Sequence, residues 1–196
     1  MPKIVDHGER REELLAALWR VVDKQGAAAV SVRSVAAEAG VSKSSLAHYF
    51  PSQAALVAAA IEQVMDESEG RTSQLDLDDA DVSTIVSALS LAIPDSPERR
   101  AQAELWLHLA ATAPDNSEIL ERLNDRVNDA LEWGLARMAD TGLLGAGRSV
   151  EDEAGRLHAL VDGLSLQVVS SPTRMTPERV RVILTRHVAD LTTPLS

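Results

Sequence analysis

The segment from Val35 to Phe50 constrains the fold more than any other part of the chain. Two short helical stretches, Val32 to Ala39 and Lys43 to Tyr49, flank Gly40-Val41-Ser42. That is the plan of a helix-turn-helix. Gly40 accepts the positive φ that stops the first helix tightly. Val41 is placed to plug the turn against Val35, Ala36 and Leu46, and the small Ala36 and Ala39 let the two helices approach. The second helix then presents Ser42, Lys43, Ser44, Ser45, His48 and Tyr49. Short hydroxyl donors, one cation and two longer polar rings suit a helix that enters a major groove and touches the flanking phosphates. A helical corner with a merely solvated Ser/Lys face fits the same spacing.

Helical periodicity runs through nearly all of the rest. Leu14, Leu15, Leu18, Val21 and Val22 form one apolar stripe that ends before Gly26. Ser52 is placed to cap a helix carrying Leu56, Val57, Ala60, Ile61 and Val64. An acidic stretch at 75–81 reads as an exposed connection. Beyond it the periodicity predicts helices at about 82–92, 98–113, 116–140, 150–170 and 176–191, punctuated by Pro94, Pro97, Pro114, Gly142 to Gly147, Pro172, Pro177 and Pro194. No strand pattern and no internal repeat stands out. The expected fold is all-α with about nine helices. An N-terminal three-helix helix-turn-helix domain is expected over residues 1–51, and a C-terminal helical bundle over 52–196 whose first helix, 52–68, acts as connector.

With 196 residues, 45% of them hydrophobic, the chain can bury a sizeable core without covalent staples. It has no cysteine, which excludes disulfides, thiolate zinc sites and cysteine nucleophiles. No metal and no cofactor is expected. No apolar run approaches the roughly 18 residues of a membrane span, and Met1 to Glu13 is densely charged with no apolar core of a secretory signal. The expected compartment is the cytoplasm, with no membrane partner. The net charge of −11 argues at first against a polyanionic partner. Its distribution qualifies this: residues 1–50 hold seven Lys/Arg against six Asp/Glu, residues 51–196 hold 12 against 24. Whole-chain charge therefore says little about what the first fifty residues touch.

The run Ser31-Val32-Arg33-Ser34-Val35-Ala36-Ala37-Glu38-Ala39-Gly40-Val41-Ser42-Lys43-Ser44-Ser45-Leu46-Ala47-His48-Tyr49-Phe50, continued by Ser52-Gln53-Ala54-Ala55-Leu56, resembles the DNA-binding signature of TetR-type transcriptional regulators. The spacing of Trp106 to Ala113 and of Leu160 to Gln167 resembles the BetI-like branch. The resemblance implies a double-stranded DNA operator as partner, with Ser31 and Arg33 meeting phosphate and Ser42 capping the recognition helix. It places Lys43, Ser44 and Ser45 at base edges and His48 and Tyr49 over the backbone. Three positions depart from the family pattern. Ala47 stands where an aromatic commonly packs on the DNA backbone, Gln53 where a lysine commonly meets a phosphate, and Ser44 where glycine is frequent. One cationic contact fewer lowers the salt slope of binding by about one.

The resemblance also implies a C-terminal domain that binds an unidentified small-molecule effector and forms a homodimer. Trp106, Leu109, Leu123 and Val127 give apolar faces that could enclose such a molecule or belong to ordinary core, and Trp133 lies off the leucine stripe. His158 and Asp162, one turn apart, share a face as a satisfied pair or as polar lining. Only two tryptophans fall in this domain, so a full aromatic cage for a quaternary ammonium is not expected. Val180, Ile183, Leu184, His187 and Leu191 form one stripe, while Leu157, Val161, Leu164 and Val168 leave their helix apolar on more than one side. These nine residues are the expected dimer interface, and an intramolecular core is the other reading.

Two stretches imitate catalytic motifs. Gly142 to Ser149 almost spells a phosphate-binding loop, but Arg148 replaces its lysine and a helix, not a strand, precedes it. Gly163-Leu164-Ser165-Leu166-Gln167 lacks the second glycine of a nucleophile elbow. No enzyme is expected. The function read from the sequence is a ligand-responsive DNA-binding regulator, a repressor released from a palindromic operator by a small apolar effector. The alternative is a helical ligand-binding or protein-interaction module with weakened operator binding.

Overall fold

The computed structural model describes residues 7–72, 81–111 and 117–195, and within them every regular element is helical. The order is α1 (His7–Gln25), a single 3-10 turn (Ala27–Ala29), α2 (Val32–Glu38), α3 (Lys43–Tyr49), α4 (Gln53–Thr72), α5 (Val82–Ser90), α6 (Pro97–Ala110), α7 (Ser117–Asp140), α8 (Val150–Ser170) and α9 (Pro177–Leu191). Helix limits follow the punctuation in the sequence. Ser31, Ser42, Ser96, Ser149 and Thr176 each accept a hydrogen bond from the backbone N–H three residues on. Such a cap contributes about 1 kcal/mol. Pro97 and Pro177 sit in the first turn, where a missing N–H costs nothing.

Two features differ from the expectation. Gly26, at φ 84°, leads into a 3-10 turn, and α4 continues to Thr72, past the expected end at 68. Most of the acidic connection at 75–81 lies outside the described residues. Asp81 is described, and its carboxylate accepts from the Thr84 N–H at 2.8 Å to cap α5.

Three apolar clusters hold the helices. The largest joins Leu14, Leu18 and Val21 of α1 to Leu46 of α3, Leu56 and Ala60 of α4, and Leu105 and Leu123 of α6 and α7. The N-terminal unit therefore shares its core with the bundle, and α4 runs through both. A second cluster packs Val86 and Ile93 against Leu157, Val161, Leu164 and Val168 of α8 and Val180, Leu184 and Val188 of α9. A third joins Leu135 and Met138 to Ala154 and Leu191.

The Gly142 to Ser149 run is the connection from α7 to α8, docked on the end of the chain. Gly145 N–H donates to the Leu191 carbonyl at 2.8 Å, and a Cβ at Gly145 would lie 2.2 Å from the Thr193 carbonyl oxygen. Arg148 donates to the carbonyls of Thr193 and Asp190 and pairs with buried Glu153 at 2.6 Å. Arg156 meets the same carboxylate at 2.9 Å. Its backbone and its arginine are thus engaged within the protein. No described helix is long and apolar enough to cross a membrane.

Candidate DNA-contact face and ligand cavity

The turn between α2 and α3 is built as its residues dictate. Gly40 takes φ 67°, and Val41 N–H returns to the Ala36 carbonyl at 2.9 Å while its side chain packs on the core. Leu46 and Phe50 bury on one side of α3. That burial turns Ser42, Lys43, Ser44, Ser45, Ala47 and His48 outward, with Tyr49 half-buried. The Ser42 hydroxyl accepts from Ser45 N–H at 3.1 Å and lies 2.9 Å from the Ser44 hydroxyl, so Ser44 is braced by the cap. Arg33 and Lys43 are exposed and form no ion pair among the described residues.

Ser31 serves first as a cap. Its hydroxyl accepts from Ser34 N–H at 3.0 Å, and the Ser34 hydroxyl accepts from Ser31 N–H at 2.9 Å, a reciprocal capping box. Glu38, at the far end of α2, receives Arg20 at 2.9 Å and Lys24 at 2.8 Å from α1. Hydrogen bonds from Lys24 and then Arg20 hold its carboxyl below the usual range. These exposed pairs set how α2 lies on α1 rather than adding much stability.

The place of His7 on this face and the bracing role of Gln53 were not legible in the sequence. The His7 ring packs at 4.5 Å from Tyr49 and 5.7 Å from His48, so the start of α1 extends the surface formed by α3. Gln53, exposed at the start of α4, is tethered by its side chain. Its carboxamide donates to the Val30 carbonyl at 3.0 Å.

The bundle and α1 together line a partly open cavity of about 370 Å³. Four of the seven expected lining residues are in its wall: Trp106, Val127, Trp133 and Asp162. Leu109, Leu123 and His158 are not. Leu109 and Leu123 are 2% and 1% exposed and belong to the core shared with the N-terminal unit. The imidazole of His158 is held at 2.8 Å, Nδ1 to Asn128 Oδ1, which ties α8 to α7; its Nε2 is 3.6 Å from the Asp162 carboxylate. Burial raises the Asp162 carboxyl above its usual range, an effect His158 partly opposes.

The wall also includes Trp19 of α1, Met65 and Glu69 of α4, and Ile85 and Leu89 of α5. All three tryptophans of the chain therefore face one cavity, the third arriving from outside the bundle. The scarcity of aromatics was the only sequence signal for this.

The expected dimer residues fall differently. Leu157, Val161, Leu164, Val168, Val180, Leu184 and Leu191 are at most 9% exposed within the single chain. They pack α5, α7, α8 and α9 together and have no area left to offer another copy. Ile183 and His187 are half-buried. What these helices turn outward is another strip: Gly155, Ala159, Leu166 and Ser170 on α8, and Val182, Thr185 and Ala189 on α9. Leu166 and Val182 are large apolar side chains left 49% and 46% exposed.

Comparison with known proteins agrees with this architecture. Residues 14–60 match the family model of bacterial regulatory proteins of the tetR family. Residues 82–193 match that of the BetI-type transcriptional repressor C-terminal domain. The HTH-type transcriptional regulator PksA of Bacillus subtilis (strain 168) is 30% identical over 192 residues, 97% of this chain and 94% of that protein. A solved transcriptional regulator from Rhodococcus sp. Rha1 is 27% identical, with a TM-score of 0.76 over 92% of this chain and 95% of that one. The multidrug binding protein EbrR, solved with imidazole, is 28% identical, with a TM-score of 0.69 over 100% of this chain and 95% of that one.

Proposed function

The chain belongs to the TetR family of bacterial regulatory proteins, with a BetI-type C-terminal domain, and on that premise we propose that it is a repressor acting as a homodimer on a palindromic operator and released by a small, mainly apolar effector. One observation carries the reading. The helix α4, which lines the cavity through Met65 and Glu69, buries Leu56 and Ala60 in the same core as Leu46 of α3. A molecule in the cavity and a helix in the groove thus bear on one rigid element.

Each part has its support. The outward face of α3 offers Lys43 and four hydroxyl or ring groups to a groove, and His7 and Tyr49 widen it toward the phosphate backbone. The cavity lies within the range of small-molecule sites and is walled mostly by apolar and aromatic side chains. A related protein, EbrR, is a multidrug binding protein. Dimerisation uses the exposed strips of α8 and α9, and two recognition helices are what two half-sites about one helical turn apart require. The setting is the cytoplasm, where the operator is.

Release needs two arrangements of the DNA-contact units, with the effector preferring the one that mismatches the operator. A tenfold loss of operator affinity needs only about 1.4 kcal/mol of coupling. The test is a small-molecule screen by thermal shift, followed by operator affinity with each hit and with the Trp106→Ala variant. Hits that lower operator affinity and lose binding in the variant support the reading. Hits that stabilise the protein, leave operator affinity unchanged and still bind Trp106→Ala overturn it.

A further inference from the structure

The contact between α4 and α7 is an ion-pair ladder. Arg122 Nη2 meets Glu62 Oε1 at 3.0 Å. One turn along α7, Arg126 reaches two carboxylates of α4 at once: Nη2 to Asp66 Oδ1 at 2.5 Å and Nε to Glu69 Oε1 at 2.8 Å. Glu62, Asp66 and Glu69 share one face of α4, and Arg122 and Arg126 one face of α7. The upper end of this ladder is part of the cavity wall, since both Arg126 and Glu69 line it. The lower part of α4 is fixed to the DNA-contact unit through Leu56 and Ala60.

Two other arginines, Arg99 and Arg137, also line the cavity. Arg99 pairs with Asp95 at 2.7 Å, and Arg137 lies 3.9 Å from Asp140. Arg126 lines the cavity and grips two carboxylates of the connector at the same time. Its partners are largely exposed, with Asp66 at 68% and Glu69 at 53%. Pairs so exposed contribute little to stability, yet they fix geometry. A contact of that strength is of the size a ligand can outcompete.

We infer that Arg126 is the coupling residue of this regulator: its clamp on Asp66 and Glu69 holds α4 in the operator-binding arrangement, and opening the clamp from the cavity side releases it. The inference rests on the repressor reading above and names the contact through which its cavity acts. Arg126 is a positioning residue; it touches no DNA.

The test uses the full-length protein and a duplex that the parent enriches from a random-sequence library. Arg126→Gln is expected to bind that duplex about tenfold more weakly, with the salt slope of binding unchanged because no phosphate contact is lost. The reversed pair Glu69→Arg with Arg126→Glu, made together with Asp66→Asn so that no carboxylate faces the new glutamate, is expected to recover most of the loss, which a merely structural residue would not do. If Arg126→Gln is not a folded dimer by sedimentation, Asp66→Asn with Glu69→Gln opens the clamp with near-isosteric neutral groups and is held to the same result. A folded dimer with the clamp opened that binds the duplex as tightly as the parent overturns the inference. So does a tenfold loss that the reversed pair leaves unrepaired. A parent protein that enriches no duplex overturns the repressor reading instead, and this inference with it.

Discussion

The Gln53 carboxamide donates to the Val30 carbonyl at 3.0 Å, tying the first turn of α4 to the residue that leads into α2. The hydrogen bond crosses 23 positions of the chain and fixes how the connector meets the DNA-contact unit. A position that the family resemblance marks as a phosphate contact here works as a brace. Gln53→Ala is expected to lower stability by about 1 kcal/mol while leaving the salt slope of DNA binding unchanged. Gln53→Lys gives up the brace and adds a cation, so the slope steepens by about one. Thermal unfolding and binding isotherms at several salt concentrations check both.

Lys43 stands exposed at the first turn of the recognition helix. Lys43→Ala is expected to weaken operator binding by about 1–3 kcal/mol if the ammonium meets a base edge. If it meets phosphate alone, operator and random DNA weaken together. Competition binding with the two duplexes separates the cases, and unchanged affinity for both removes Lys43 from the contact face.

Helix boundaries were legible because caps and breakers are local. Ser42 and Ser52 mark starts by their caps, Pro97 and Pro177 by their place in the first turn, and Gly26 and Gly40 mark stops, wherever the chain folds. What covers an apolar face is not local. The periodicity of Leu157, Val161, Leu184 and Leu191 announces burial, and it reads the same whether α5 and α7 or a second chain provide the cover. Leu109 and Leu123 carried the same ambiguity between cavity wall and core, and the structure puts them in the core. Trp19 was hidden for the opposite reason. It lies beside the α1 stripe, and only the tertiary approach of α1 to α4 and α6 carries it to the cavity.

The outward strips of α8 and α9 make a prediction about assembly. Leu166→Glu with Val182→Glu places charges at the centre of the proposed interface, where an unpaired buried charge is strongly destabilising. The double variant is expected to sediment as a monomer with helix content unchanged, because both side chains point away from the core. An intact dimer moves the interface elsewhere.

Stability is expected to depend on pH through His187. Its Nε2 is buried with no hydrogen-bond partner among the described residues. Burial, and then the nearby Arg156, hold its pKa below the ordinary value of 6.5. The unfolded chain therefore binds this proton more readily, and stability falls as pH drops below about 6.5 until the folded-state value is passed. His187→Gln is expected to lose that part of the pH dependence, so the melting temperatures of parent and variant draw apart between about pH 7.5 and pH 5.5 by an amount that changes with pH. Parallel curves would show that His187 does not titrate on unfolding.

The central claim is operator binding by a symmetric pair of chains, and selection from a random duplex library followed by footprinting tests it most directly. The account predicts one enriched palindrome with half-sites about one helical turn, or a multiple of it, apart. Two chains or a multiple of two should occupy it, at least roughly a thousandfold more tightly than random DNA. A library that yields no enriched sequence, or a bound site without two-fold symmetry, would contradict it.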